Sequence, residues 1–560
     1  MNVRELPPTA WTTGTTEVFK TGTWRASLPR HVSAPSPCHA ACPVDGDIAH
    51  WIGRARERDW RAAFEILARN NPFPAVAGRI CHHPCEAACN RATFDEALSI
   101  CKLERHVGDV ALAEGWSFAP PEAERAERVA IVGGGPSGLS AAWQLRRRGY
   151  AVTIFEARPE LGGLMRDGIP AYRLPRVVLD GEIRRIVGLG VDVRCGESLD
   201  SPQALQRLRD DFDAVYLAFG ARRQKRLPQL DYEQPWVVDG ASWLAQANAG
   251  FVPALGRRLV VVGGGSAAID VARSARRAGH EVTLLALERE AQMPAQRDEV
   301  EEALEEGVRL ADGAMLERAT PLDAGRHGVA LDCVAVRFVA GAERGQFRIE
   351  PVPGSGFRLE ADAIVVSIGQ DPDLSMLGGT IATHGALLQV DARQATDVAR
   401  VWAGGDVASM ARFVTEAIGM GKRAALAIDA ALRGQEDGSA ARLQGLGVPS
   451  GRLVPLDAIA DFYHEHAPRP VAPRLDVAQR LGSDVEVQAG FDLEQALAET
   501  QRCFSCGTCI ACDNCFHYCP DLAIRRVDGG YEVDGDYCKG CGICVRECPT
   551  GSMEMVEELR

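Results

Sequence analysis

A multidomain α/β architecture is predicted from three features of the 560 residues: two strand, glycine-loop, helix, strand units in the middle, a dense run of cysteines near each end, and sheer length. A single hydrophobic core stops growing near about 250 to 300 residues, so several domains are required. A composition of 46% hydrophobic and 25% charged residues is that of an ordinary globular chain. No apolar run approaches the about 18 residues of a membrane-span candidate. Lys and Arg number 62 against 76 Asp and Glu, a net charge of -14 that argues against a nucleic-acid surface. The opening "MNVRELPPTAWTTG" lacks the charged-then-apolar pattern of an export signal, so a cytoplasmic protein is expected. Eighteen cysteines in such a chain point to metal or redox chemistry, not to disulfides. Sixteen of them lie in two groups near the ends; Cys195 and Cys333 stand alone and read as structural.

The first central unit is "RVAIVGGGPSGLSAAWQLRRRGYAVTIFE", residues 128 to 156. A β run leads into G-x-G-x-x-G at Gly133, Gly135 and Gly138, followed by an amphipathic helix, a second β run and Glu156. The glycines let a pyrophosphate approach the helix N-terminus, and the acid takes a ribose hydroxyl. The second unit, "RRLVVVGGGSAAIDVARSARRAGHEVTLLALERE" from 257, carries Gly263, Gly265, Ser266 and Ala268 in the G-x-G-x-x-A form. Two units imply two dinucleotides. A free 2'-hydroxyl suits a carboxylate at the end of the second strand, whereas a 2'-phosphate needs cations there. Ala286, Leu287 and Glu288 occupy those positions, with Arg289 one step later, so NAD(H) is expected over NADP(H). No C-x-x-C lies beside the first unit to act as a redox disulfide.

Near the C-terminus, "CKGCGICVRECP" gives C-x2-C-x2-C-x3-C-P at Cys538, Cys541, Cys544 and Cys548. The same spacing occurs at Cys509, Cys512, Cys515 and Cys519, before Pro520. This is the bacterial ferredoxin run, in which three thiolates wrap one cubane and the fourth cysteine ligates the partner cluster. One [4Fe-4S] cluster is therefore assigned to Cys509, Cys512, Cys515 and Cys548, and the other to Cys538, Cys541, Cys544 and Cys519. Zinc sites take two close pairs, which this is not. Cys503 and Cys506 are then surplus: spare thiols, or, with the register one step earlier, a source of one displaced ligand.

"ARVWAGGDVASM" (399 to 410) and "FVTEAIGMGKRAALAIDAAL" (413 to 432) resemble the closing FAD motif of the two-dinucleotide-binding flavoproteins. The resemblance implies that Gly405 and Asp406 meet the flavin's ribityl or phosphate group. It also implies that the helix beginning near Glu416, Ala417 and Ile418 points its positive end toward the ring. Gly163 and Gly369 join the cofactor-binding candidates, and "DAVYLAFGA" and "ADAIVVSIGQDPD" look like crossover strands of the same family.

With "CHAACPVDGDI", "NPFPAVAGRICHHPCEAACNRATFDEAL" and "SICKLERH" (38 to 106), residues 36 to 435 resemble the glutamate synthase small subunit and the N-terminal half of dihydropyrimidine dehydrogenase. In that family a helical segment holds two [4Fe-4S] clusters near the FAD, and an upstream cysteine pair completes the first. No cysteine precedes Cys38, so one N-terminal cluster is expected. The resemblance implies Cys42, Cys81, Cys85 and Glu104 as its ligands, with Cys38, Cys89 and Cys101 as alternatives. His82 and His83 flank these cysteines as tuning groups or as polar loop residues.

The expected organisation is a polar arm (1–35), a helical iron-sulfur domain (36–120), an FAD domain (127–240 and 361–435) with an NAD(P) domain inserted (241–360), a linker (436–495), and a ferredoxin-like α+β domain (496–560). The expected function is a diaphorase-type enzyme subunit passing electrons between NAD(H), FAD, [4Fe-4S] clusters and a protein partner. A 2-oxoacid:ferredoxin oxidoreductase or a ferredoxin would suit as that partner. A non-catalytic assembly subunit with vestigial nucleotide sites, or the input subunit of a glutamate-synthase-like reductase, is the alternative.

Overall fold

The computed structural model describes residues 20, 22, 25–322, 328–341, 345–435 and 452–558. The first 19 residues of the arm and 436–451 of the linker lie outside them. Two parallel sheets form the centre. One runs in the order Val401–Ala403, Ala214–Leu217, Arg128–Val132, Ala151–Glu156, Asp192–Cys195. The other runs Arg309–Ala311, Glu281–Leu285, Arg258–Val262, Ala363–Val366, Val237–Asp239. Their central strands are nearly all apolar because both faces are covered; from Val129 to Ile131 no residue is exposed at all. Beside the second sheet, Ala314–Pro321, Val329–Ala340, Phe347–Pro351 and Phe357–Ala361 pair antiparallel.

Each glycine loop is fixed by contact with a crossover strand. Gly133 has φ +108, and a Cβ there would stand 2.4 Å from the Ala218 carbonyl oxygen; Gly263 has φ +139, and its Cβ would stand 2.3 Å from that of Ser367. No L side chain meets both conditions, so the spacing of the motif follows from the backbone.

Short helices, among them Pro37–Ala41, Ile48–Arg56, Trp60–Ala68, Pro74–Ile80, Pro84–Ala87 and Ile100–Ala113, make the cysteine-rich N-terminal domain. The ends of the chain depart from the sequence reading. Ser27–His31, expected in a polar arm, pairs antiparallel with Met553–Glu557 of the ferredoxin-like domain. The segment 452–491, expected as a linker, has little regular structure but is fastened along its length. Val454 N–H donates to Pro35 O (3.2 Å), His464 Nε2 lies 2.9 Å from Pro549 O, Arg469 pairs with Glu86 and Arg480 with Glu305. It acts as a strap.

The two dinucleotide units are locked by a buried ion cluster. Arg173, from the first, pairs with Asp270 (2.6 Å) and with Glu299, both on the second. Tyr172 lies under the Arg277 guanidinium, 3.7 Å from ring centre to carbon. Removing one partner of a buried ion pair strands the other charges at a cost of about 3–5 kcal/mol. Arg173→Ala is therefore expected to lower the calorimetric unfolding temperature by the equivalent of about 3 kcal/mol or more. A variant as stable as the parent would show that the latch carries no such weight.

Candidate functional site

A cleft of about 380 Å³ opens between the two units. Gly133, Gly135, Glu156, Gly163, Gly369, Gly405, Asp406 and Ala417 line it from the first, Ser266, Ala267 and Asp270 from the second. Glu156 is buried at the end of its strand, and its Oε2 accepts the Gly134 N–H at 2.8 Å. Gly138 packs beneath the loop, where a Cβ would meet Gly133 O at 2.0 Å. Asp406 sits in the cleft 3.8 Å from Arg412 Nη1, and burial pushes its carboxyl up. The helix Val414–Leu432 begins here, with Val414 and Ala417 on the cleft wall. Glu416 and Ile418 do not line it, contrary to expectation: helical periodicity turns Ile418 into the core, where its carbonyl accepts from Ser140 Oγ at 2.8 Å.

The residues fit a flavin and a nicotinamide nucleotide. Ser266 Oγ and Asp270 Oδ1 are buried on the cleft wall without a hydrogen-bond partner among the described residues, as is Arg412 Nη1. Buried polar atoms of this kind are costly unless something fills the cleft and bonds to them. Arg412 was not singled out in the sequence, since nothing in "SMARF" marks it. His82 faces the cleft too, its ring centre 3.8 Å from that of Phe413. His83 is instead the left-handed cap (φ 51) of Pro84–Ala87, and burial lowers its pKa.

In the second unit, Glu288 reaches back over the loop: a Cβ on Gly264 would stand 2.6 Å from its Oε2. Glu156 takes the same place over Gly134, at 3.2 Å. Gly265 has nothing within 4 Å of a Cβ, while Ala268 packs under Gly263. Arg289, one step beyond Glu288, turns away to Asp312 (3.3 Å) and packs over Gly313.

None of the eighteen cysteines is in a disulfide. Cys42, Cys81, Cys85 and Glu104 form one group. Burial first, then the nearby Glu104, pushes Cys42 to about 11 and Cys81 to about 12, while burial, then the carboxyls of Glu182 and Glu86, pushes Glu104 to about 8. Without a cation these ligands stay protonated; iron would offset that cost on binding. Glu104 is steadied by Asn71, whose Nδ2 donates to Oε1 at 2.7 Å. Cys101, close by, is engaged elsewhere, its thiol donating to Gly78 O at 3.2 Å. The group abuts the cleft: Cys81 Sγ lies 3.6 Å from Thr415 Oγ1, on the helix that starts at the cleft wall.

Cys38 and Cys89, named as alternatives for this group, lie instead beside Cys503 and Cys506. Cys503 and Cys506, read from the sequence as spare thiols or as part of a shifted ferredoxin register, thus stand against cysteines from the other end of the chain. In the ferredoxin-like domain, Cys509, Cys512, Cys515 and Cys548 surround a small void. Cys519 lies with Cys538, Cys541 and Cys544. His31, from the N-terminal strand, walls the first void against Tyr531 (ring centres 5.6 Å apart). Among the described residues no three Cys, His, Asp or Glu side chains are gathered as tightly as one metal ion requires. Three cysteines of one run joined by the fourth of the other is the ligand arrangement of a pair of [4Fe-4S] clusters.

Comparison with known proteins matches three family models. Residues 127–421 match the pyridine nucleotide-disulphide oxidoreductases, 31–116 the 4Fe-4S domain II of dihydropyrimidine dehydrogenase, and 508–553 the 4Fe-4S dicluster domain. The beta subunit of NADP(+)-dependent formate dehydrogenase from Moorella thermoacetica is 36% identical over 506 residues, covering 84% of this chain and 70% of that one. The beta subunit of NADPH-Fe(3+) oxidoreductase from Geobacter sulfurreducens is 33% identical over 521 residues, covering 84% and 75%. The small chain of glutamate synthase from Mycobacterium tuberculosis is 32% identical over 428 residues, covering 71% and 86%. Among the described residues no helix is long and apolar enough to cross a membrane. The chain belongs to the pyridine nucleotide-disulphide oxidoreductase family and is an electron-transferring flavin and iron-sulfur oxidoreductase that works with NAD(P)H.

Proposed function

We propose that this chain is the nicotinamide-linked subunit of a larger cytoplasmic redox complex, exchanging electrons between NAD(H) and a protein partner through its FAD and iron-sulfur sites. The observation that carries the reading is continuity. One cleft is lined by both dinucleotide units, and the helix on its wall touches a cysteine of the nearest cluster group. Bound FAD would convert between a two-electron hydride and single electrons. The chain's own part is to hold and orient. Glu156 and the first glycine loop take the adenosine and pyrophosphate side, while the N-terminus of Val414–Leu432 favours negative charge on the ring. At the far end Cys512 and Cys541 are exposed, so the ferredoxin-like groups face solvent, where a partner would dock. The relatives named as beta subunits support such a partner, a low-potential iron-sulfur enzyme or ferredoxin.

NAD(H) is favoured although two of these relatives are named for NADP(H). Glu288 occupies the place where a 2'-phosphate would need a cation, and the nearby Arg289 is engaged by Asp312. In anaerobic holoprotein, NADH is expected to bleach the flavin absorbance, with a kcat/KM at least about tenfold above that of NADPH. A flavin that NADH leaves oxidised overturns the function; equal use of both nucleotides overturns only the preference. Hydrogen bonds to charged groups are worth about 1.5–3 kcal/mol, so Glu288→Ala should lower kcat/KM for NADH about 10- to 100-fold and leave NADPH little changed.

The cluster nearest the flavin is assigned to Cys42, Cys81, Cys85 and Glu104. Glu104→Ala is then expected to lose about four irons per chain or to shift the electron paramagnetic resonance signal of one cluster, while Cys101→Ser keeps both unchanged. The reverse pattern would make Cys101 the ligand.

A further inference from the structure

We propose a fourth iron-sulfur site, built from Cys38 and Cys89 at one end of the chain and Cys503 and Cys506 at the other. The proposed function needs a flavin-side cluster and the two ferredoxin-like ones. This site goes beyond that reading, and rests on it only for its role as the relay between them.

Three independent observations carry the site. The first is the grouping itself: the four sulfurs neighbour one another, although Asn90, next to Cys89, reaches across 416 residues of sequence to donate to Cys506 Sγ at 3.4 Å. The second is the turn that carries the pair. Ser505 is left-handed (φ 52), and its N–H donates to Cys503 Sγ at 3.4 Å. Each of the other groups has the same device two residues past a cysteine: His83 (φ 51) to Cys81 and Gly540 (φ 71) to Cys538, both at 3.4 Å, and Ala511 (φ 53) to Cys509. A non-glycine residue in that conformation costs about 1–3 kcal/mol and persists where the surroundings dictate it. Spare thiols would not dictate it.

The third is the investment in holding the turn. Arg56 donates from Nη2 to Cys503 O (2.8 Å) and from Nε to Thr500 O (3.1 Å), and Arg91 donates to Arg502 O. Phe504, between the two cysteines, is buried against Phe94 and His464. Gly507 closes the turn at φ +71, where a Cβ would meet Ala34 O at 2.0 Å. Ser36 Oγ lies 3.1 Å from Cys38 Sγ.

The site also sits between the others. Cys38 lies on one short helix and Cys42 caps its end, while Cys85 lies on another and Cys89 follows its cap, each pair four residues apart and split between this group and the flavin-side group. On its other flank, Cys506 and Cys509 are separated by Gly507 and Thr508 alone.

The test uses the full chain, purified anaerobically. The parent is expected to carry about 16 irons; Cys38→Ala, Cys503→Ala and the double variant should each carry about 12, since any one change destroys the same cluster. Flavin content, unchanged throughout, reports folding. Alkylation of the unaltered holoprotein with iodoacetamide, read by mass spectrometry, removes dependence on the variants. Cys38, Cys89, Cys503 and Cys506 should be protected together and released together by an iron chelator, with exposed Cys195 labelled in both states. Cys503 and Cys506 labelled in the holoprotein, a parent with about 12 irons that both variants leave unchanged, or one zinc in place of four irons overturns the site. Failure of NADH to reduce the flavin would remove the proposed function and leave this site standing.

Discussion

Sulfur taken out of water is the constraint on which the rest of this molecule depends. A buried thiol holds its proton far above neutral pH, and several such thiols side by side reinforce one another, as the raised values at Cys42, Cys81, Cys506, Cys515 and Cys544 show. Only a cation can make thiolates of them at no net loss. Folding and cluster binding are then coupled, because the ligands must lose their protons to bind and are brought together only in the folded chain. Backbone N–H groups aimed at sulfur, from Ser505, His83, Gly540, Ala523 and Ser552, supply what water no longer can. They also favour the charged form over the neutral one, which tunes a cluster's potential.

The flavin cleft and the cluster groups are joined through one helix, Val414–Leu432. Its N-terminus opens on the cleft; one turn later Gly419 lies so close to Pro43 that a Cβ would stand 2.1 Å from that carbonyl oxygen. Pro43 follows Cys42 directly. Lys422, on the next turn, buries its ammonium among Val44 O (2.9 Å), Asn70 Oδ1 (2.8 Å) and Asp45 (3.3 Å). Burial lowers its pKa, with a smaller push from Arg423, and Asp45 and Cys42 pull it back. A charge placed there is repaid when the neighbouring sulfur is anionic. The small residues of the helix are thus accounted for by contact on two sides: Gly421 lies equally close to Ser137, on the first glycine loop.

What the sequence disclosed and what it hid divide along the range of the contacts. The glycine loops and the ferredoxin-like groups are local: spacing determines turns, and the crossing of Cys519 and Cys548 into each other's group follows from the repeat. Glu288 was legible for the same reason, standing at the end of a recognisable strand. Arg289 was not, because its partner Asp312 arrives on a strand connection 23 residues on. Cys503 and Cys506 were the hardest. Their spacing fits the run that follows them, so one-dimensional arithmetic counted them as leftovers, and no pattern near Cys38 or Cys89 names a partner at the other end of the chain. Ala417 could be read from its motif; Arg412 and His82 reach the cleft only because the loops carrying them are folded back by the domain they belong to.

The strap and the terminal strand pairing decide how the ferredoxin-like domain is mounted. A flexible tether would let that domain search for its donor, and each electron would wait on diffusion within the chain. Here Ser27–His31 is zipped to Met553–Glu557, Ala460 N–H donates to Cys548 O at 2.9 Å, and Arg502 is buried between Glu499 and Asp95. Breaking such buried ion pairs costs several kcal/mol, so the domain is held at equilibrium in one place. Held there, Cys509 follows Cys506 by three residues and Cys515 neighbours Cys544. The four cysteine groups therefore follow one another from the cleft to the exposed Cys541, and on the proposed reading electrons would pass along them without domain movement.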